Sequence, residues 1–338
     1  MEHPVSCPNA ARASAGNFAA FARLTNKSQT LKRIISIGGG DSQKYLDNAF
    51  AHPEAFIQSA ATVIRAYHLD GIDLDFEPDA FFPLHQGEQY AQLVAGLRKE
   101  LGDGAFISIE VPADWETLRS IDCPADTRCS NNLGHIAANA FVSLMGYEFH
   151  EPAYPGDVTG NNSNLYSDPD EPLVPRFYHV SDNQAVEYLT RRDVPTSKIL
   201  LGFPAYFIAY NGVGSGGGSN GLYQPFDKTK SVVFDLGTSK GRGTDRAVQK
   251  VLKSGFSLHY VRVNGKISAA YAYSKSGQQW ISYENPTSLK AKAQYVLARH
   301  LAGMMMWEIG EDVPADDAHS LLRSAHAALG VGGGRLHQ

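Results

Sequence analysis

The chain has 338 residues, 43% hydrophobic and 19% charged, with a formal net charge of −5. That is enough apolar material for one large domain or two ordinary ones. No Lys/Arg-rich run or stripe gives the footprint of a nucleic-acid partner, and no apolar run is long enough to span a bilayer.

The start, Met1-Glu2-His3-Pro4, has neither the basic nor the apolar region of an export signal. Met1–Thr30 gives polar segments and a short amphipathic piece, Phe18–Leu24. Arg33–Ile37 reads as a strand ending in Gly38-Gly39-Gly40. Helical spacing of Phe56, Ala60, Val63, Ile64 and Tyr67 predicts a helix over Pro53–Tyr67, with Pro53 suited to its first turn. Gly71–Phe76 is a second strand, followed by a helix over Gln86–Leu101 that Gly102 stops. Ala105–Val111 is a third strand. Cys123 and Cys129 bracket a polar loop and read as a local disulfide or as two free thiols. A zinc site using His135 would have no usual ligand spacing, and Cys7 is left over. Ala140–Gly146, Ile199–Pro204 and Gly303–Trp307 complete six strands, with helices near Asn183–Arg192, Ser288–His300 and Asp316–Leu329.

Phe207–Tyr283 breaks this rhythm. It is rich in Gly, Ser and Tyr, with short alternating runs, and reads as a small α+β insertion. Gly212–Gly217 matches a dinucleotide-binding pattern by letter, but no helix opens there, so it reads as a flexible loop. The expected division is a catalytic barrel over 1–206 and 284–330, an insertion domain over 207–283, and a disordered tail over 331–338.

Buried strands alternating with helices imply a parallel sheet with helices outside. Polar or aromatic residues stand at the C-terminal ends of nearly all the strands: Ser36, Asp75 and Glu77, Glu110, Tyr147, Tyr206, Trp307 and Glu308. An open doubly wound sheet concentrates its ligand at one switch point. A site spread over many strand ends fits a barrel.

The informative segment is Asp70-Gly-Ile-Asp-Leu-Asp-Phe-Glu77. Strand alternation turns Ile72, Leu74 and Phe76 towards the helices and Asp73, Asp75 and Glu77 towards the barrel interior. Neighbouring carboxylates raise the proton affinity of at least one member, which is what a general acid requires. An EF-hand counted from Asp73 would need Gly at Pro78 and Glu at Leu84. A magnesium site for phosphate chemistry would need a phosphate cradle or cationic clamp that the sequence lacks.

This segment is similar to the Asp-x-x-Asp-x-Asp-x-Glu signature of family-18 glycoside hydrolases, the chitinase family, with Asp70, Asp73, Asp75 and Glu77 at the fixed positions. Ser36-Ile-Gly-Gly39 matches the family's Ser-x-Gly-Gly strand. Met145-Gly-Tyr-Glu148 resembles its Met-x-Tyr-Asp strand, and Gly303–Trp307 its last strand, whose Trp floors the sugar site. Tyr283–Lys292 looks like the segment before the final barrel helix. The resemblance covers roughly Leu31 to Leu329 and implies a TIM-type (β/α)8 barrel with a chitinase insertion domain. Phe76 stands where Trp is common, facing outward. Glu148 stands where Asp is usual, and its extra methylene could shift its bond to the sugar's acetamido group. The Ser-x-Gly-Gly strand is the family's third. The barrel is therefore expected to lack its first two strands, with the chain a fragment of a longer protein or completed by another chain.

The resemblance implies chitin or chito-oligosaccharides as substrate, no metal or cofactor, and a secreted protein. Glu77 would be the acid/base, Asp75 would orient the acetamido group, Asp73 would share Asp75's proton, and Tyr147 would bond the acetamido oxygen. Trp307, Met145, Glu148 and Tyr206 would bind substrate, Trp115 and Trp280 are candidates for outer sugar subsites, and Asp70 is structural. The alternatives are a non-catalytic, lectin-like chitin binder on the same scaffold, or a hydrolase of N-glycan or peptidoglycan amino sugars. Retention of both Glu77 and Asp75 favours an enzyme.

Overall fold

The computed structural model describes residues 20–21, 24, 31–40, 43–77, 86–123, 129–152, 158–172, 180–229, 241–253 and 255–330. The expectations of missing N-terminal strands and of a disordered tail over 331–338 fall outside the described residues, apart from isolated positions. The chain divides into two compact units.

The first comprises Met1–Val111, Arg119–Val142 and Arg192–Val194. It holds β1 (Ile34–Gly39), β2 (Gly71–Phe76), β3 (Phe106–Pro112) and the start of β4 (Phe141–Met145). β1 and β2 are parallel, as are β2 and β3, with Ser36 opposite Asp73 and Asp73 opposite Ser108. Ile72, Leu74, Ile107, Ile109 and Val111 are fully buried on the helix side. The helices are α1 (Gln43–Ala51), α2 (Pro53–Ala66), α3 (Gln86–Leu101), the end of α4 (Trp115–Asp122) and α5 (Asn132–Asn139). Gly38 explains its motif. Its φ is +135°, and a Cβ there would lie 1.8 Å from the Asp75 carbonyl oxygen, so only glycine lets β1 pass this close to β2. Cys123 and Cys129 form a disulfide, which settles the two readings of the pair.

The second unit comprises Pro112–Leu118, Ser143–Arg191 and Pro195–Gln338. It holds the end of β4, then α6 (Asp182–Arg191), β5 (Ile199–Pro204), α8 (Pro286–Ala298), β11 (Gly303–Trp307) and α9 (Leu321–Ala328). β5 and β11 pair in parallel. Between β5 and α8 lies an antiparallel sheet in the order β7-β6-β10-β9-β8, built from β6 (Tyr206–Asn211), β7 (Arg242–Thr244), β8 (Ser257–Val263), β9 (Lys266–Ser274) and β10 (Gln279–Ser282), with α7 (Asp245–Leu252).

The parallel strands follow the order β1-β2-β3-β4-β5-β11. This is a TIM-type barrel topology with an inserted sheet. Two helix starts differ from expectation for reasons of capping. α8 begins at Pro286, because the Asn285 side chain accepts from the Thr287 and Ser288 amides, and the Ser288 hydroxyl oxygen accepts from the Asn285 amide in return. α9 begins at Leu321 rather than Asp316, because Ser320 caps it and Asp312 accepts from the Leu321 and Leu322 amides.

Candidate active site

The acidic row lies on β2, in the first unit. Asp73 receives two hydroxyls: Ser36 Oγ donates to Oδ2 and Ser108 Oγ to Oδ1, each at 2.6 Å. Burial raises its affinity for a proton, and the two donors pull that affinity back by favouring the charged form. One pleat further on, Asp75 is 7% exposed. Burial first, and then the charge of Asp73, push its pKa up to about 6, against a hydrogen bond with Glu77 that lowers it. Two hydrogen-bonded carboxyl groups must share a proton. Asp75 Oδ1 is buried and has no hydrogen-bond partner among the described residues. Beneath the row, Tyr90 of α3 donates to the Leu74 carbonyl at 3.2 Å and stacks on Phe76, whose ring faces the helices as expected. Asp70 receives the Arg33 amide at 2.7 Å and its guanidinium at 3.4 Å, bonds that hold its carboxyl low and tie β1 to β2.

The second group lies in the other unit, where β4, β5 and β11 end. Tyr147 packs edge-on to Tyr206, with ring centroids 6.1 Å apart, and its hydroxyl points at Met305 Sδ. Met145 packs against the same cluster. Glu148 adopts a left-handed φ of +62° and receives the Tyr206 hydroxyl at 3.2 Å. It also receives an arginine that sequence reasoning missed: Arg242 Nη1 donates to Glu148 Oε1 at 3.0 Å. The same guanidinium lies 3.6 Å from the centre of the Tyr206 ring, and its other nitrogen is 3.5 Å from Glu311. Burial works against this charge, but Tyr206, Glu311 and Glu148 outweigh it and raise the arginine's pKa. Tyr206 itself is buried, with its hydroxyl given to Glu148. Trp307 is 44% exposed at the end of β11, which rules out a plain core role.

Trp280 is a correction. It is fully buried, with Tyr210 and Tyr271 packed on it, so it cannot meet a sugar. The inserted sheet is covered on both faces. Trp280 belongs to one cluster with Tyr210, Tyr271 and Tyr273, and its neighbour Ile281 to the opposite one with Phe207, Val248 and Ala272. Trp115 opens α4 half-buried. Ser108 was detectable, because it sits opposite Asp73 once two strands are aligned in parallel. Arg242 was not: it follows a Gly- and Ser-rich stretch with no period. Among the described residues no three His, Cys, Asp or Glu side chains are grouped to hold a metal.

Comparison with known proteins then decides the assignment, because the family model for glycosyl hydrolases family 18 matches residues 4–312. The chain belongs to glycosyl hydrolase family 18. It is 25% identical to Chitinase 1 of Aphanocladium album, over 91% of this chain and 67% of that one. It is 27% identical to Chitotriosidase-1 of Mus musculus, over 86% of this chain and 60% of that one. The chain thus spans about three fifths to two thirds of these curated relatives. In fold it is similar to the Ostrinia furnacalis Group IV chitinase solved with allosamidin, with a TM-score of 0.78, 23% identity, and coverage of 94% of this chain and 84% of that one. The acidic row of this family-18 chain lies within the matched span.

Proposed function

We propose that this chain is a chitinase, cleaving β-1,4 bonds between N-acetylglucosamine units with retention and with the substrate's own acetamido group as nucleophile. The observation that carries the reading is the buried Oδ1 of Asp75, beside Glu77: this oxygen has no hydrogen-bond partner among the described residues. A carboxylate oxygen shut off from water calls for a donor, and an acetamido N–H is such a donor. Glu77 gives its proton to the glycosidic oxygen as the acetamido oxygen attacks the anomeric carbon. The resulting oxazolinium ion carries its positive charge next to Asp75. Water, losing a proton to Glu77, opens the ring and restores the acid. Asp73, held by two hydroxyls, is the member of the row best suited to stay ionised. The proton is then left to Asp75 and Glu77.

Tyr147 takes the role that the family resemblance gives it, bonding the acetamido oxygen, and Trp307 offers an exposed ring to the sugar face. Met145, Tyr206 and Glu148 complete the binding side, with Arg242 holding Glu148. Residues 1–206 and 284–330 form the catalytic barrel, and 207–283 the insertion that lengthens the sugar-binding surface. The Cys123–Cys129 disulfide favours secretion.

The test is a mass-resolved digest of chitin tetrasaccharide beside Glu77→Gln. Cleavage by the parent, reduced about 10²–10⁴-fold in the variant with sugar binding retained, supports the assignment. Equal turnover by both sinks the role of Glu77. Saturable binding without cleavage by the parent would make the chain a lectin.

A further inference from the structure

The second unit holds a cavity that the chemistry above leaves unused. It measures about 520 Å³ and is lined from the β8–β9 hairpin, from α6 and from the end of α8. None of its lining residues belongs to the acidic row or to the Tyr147–Tyr206 group. Asn264 and Gly265 take left-handed φ of +49° and +77°, which turns the chain tightly between Arg262 and Lys266, both of which line the cavity. The wall is tied down in advance. The Tyr166 amide donates to Ser268 Oγ at 2.9 Å, and the Tyr166 carbonyl accepts that hydroxyl at 2.7 Å. Tyr295 donates its hydroxyl to Asn183 at 3.0 Å, and its ring meets that of Tyr166 edge-on, 6.0 Å between centroids.

Among the described residues, three cations line this cavity and no carboxylate does. Lys266 Nζ lies 5.6 Å from the centre of the Tyr166 ring, and the Arg299 guanidinium 5.8 Å from that of Tyr295. Aromatic rings thus place these charges and no acid neutralises them: neither has an ion-pair or hydrogen-bond partner among the described residues. Arg262 gives one bond, to the Gly265 carbonyl at 3.2 Å. The acids that Tyr295 feels are engaged elsewhere, Asp182 at 2.9 Å from Lys292 and Glu187 at 3.1 Å from the Asn183 amide. The Tyr166 hydroxyl and the Gln294 amide are likewise without partners among the described residues. Burial raises the Tyr166 pKa against the pull of Arg299, so the phenol stays a donor. In a chain of net charge −5, this is a concentrated positive site.

We infer that this cavity is a second carbohydrate site, for a hexuronate unit of an acidic oligosaccharide. Its volume suits a small organic ligand. The planar guanidinium and the ammonium suit one carboxylate, the phenol and amide suit hydroxyls, and the tyrosines offer apolar surface to a sugar ring. A phosphate would call for free backbone amides. The first amides of α6 are already given to the Asn164 and Leu165 carbonyls and to Ser181 Oγ, and α8 turns the negative end of its dipole towards Arg299. The inference needs no turnover and does not depend on the chitinase reading. Chitin carries no anionic group, so the site would hold the chain on a different, acidic glycan.

The experiment is calorimetric titration of the full chain with trigalacturonate and with a β-1,4-linked glucuronate trisaccharide, beside the methyl ester of each, inorganic phosphate and chitin tetrasaccharide. Saturable binding of a uronate, at least about tenfold tighter than its ester and weakened by raising the salt, is expected. Arg299→Gln and Lys266→Gln should each weaken it about tenfold, the loss of one charge-assisted bond. Lys290→Gln, on the same helix but outside the cavity, should leave it unchanged, and Tm should stay level in all three. Cleavage of chitin tetrasaccharide should be the same in Arg299→Gln as in the parent. Binding of neither uronate overturns the inference. So does equal binding of the ester, or uronate binding that survives both cavity substitutions. Phosphate bound as tightly as the uronate would overturn the sugar assignment and leave a plain anion site.

Discussion

Arg242 spreads one guanidinium over three partners: Glu148 at 3.0 Å, Glu311 at 3.5 Å and the face of Tyr206 at 3.6 Å. The extra methylene of Glu148, a cause for concern in the sequence, is thereby put to use. The longer side chain reaches both the Tyr206 hydroxyl and the arginine, so its carboxylate is held by two donors. A lysine offers a point charge where a planar fork is needed. Arg242→Lys should therefore raise KM for chitin tetrasaccharide several-fold while kcat stays within about threefold, because binding groups are loosened and the acidic row is not touched. Steady-state kinetics at the pH optimum decide this. A fall in kcat with unchanged KM would mean that the arginine acts on the transition state alone. The carboxylates of β2 were legible from alternation alone. The arginine was not, since its meaning comes from long-range contacts.

At the scale of elements, the strands and helices with a strong period were read almost to the residue. β2 and α3 coincide with expectation because their apolar positions repeat without interruption. The short helices α1, α4, α5 and α7 escaped, each being eight or nine residues long with a polar face that hides the period. Trp280 was misplaced because alternation tells which residues share a face but not whether the second face is also covered.

A buried ion cluster is another feature that no local pattern shows. Lys292 of α8 lies 2.9 Å from Asp182 and 3.0 Å from Glu284, and is 1% exposed. Burial pulls its ammonium towards the neutral form, but the two carboxylates outweigh that and raise its pKa. Its stabilisation therefore persists through neutral pH and is lost only as pH rises through the raised value. Ser163 and Ser288 give their hydroxyls to Glu284. Asp182 presses so close to Gly146 that a Cβ there would meet Oδ1 at 2.4 Å. Lys292→Met leaves two carboxylates buried without their cation and should cost about 3–5 kcal/mol. Urea unfolding should show a lower midpoint at an unchanged m-value, and a loss under about 1 kcal/mol would mean that one acid simply takes up a proton.

For the molecule as a whole, buried acids tilt stability towards low pH. Burial and the charge of Asp73 lift Asp75 to about 6. Burial, with Asp312 and Asp317 nearby, lifts Asp245 to about 8. Both start from 3.8, so between about pH 4 and those values the folded chain keeps protons that the unfolded chain has released, and stability falls as pH rises through the window. Asp70, held low by Arg33, acts in the opposite sense, its contribution being lost as pH falls through its lowered value. Tm should peak nearer pH 5 than pH 8, roughly, in a fluorescence melt across that range, and a rise towards pH 8 would show these acids to be paired in the fold.

The position of Arg242 also bears on modularity. It is the first residue of β7, inside the inserted sheet, yet its guanidinium closes on Glu148 where β4 has just ended. The insertion is therefore not a detachable accessory. A stripped-down scaffold made by excising it, or a chimera carrying a relative's insertion, would leave Glu148 without its guanidinium partner unless the arginine were transplanted along with its strand.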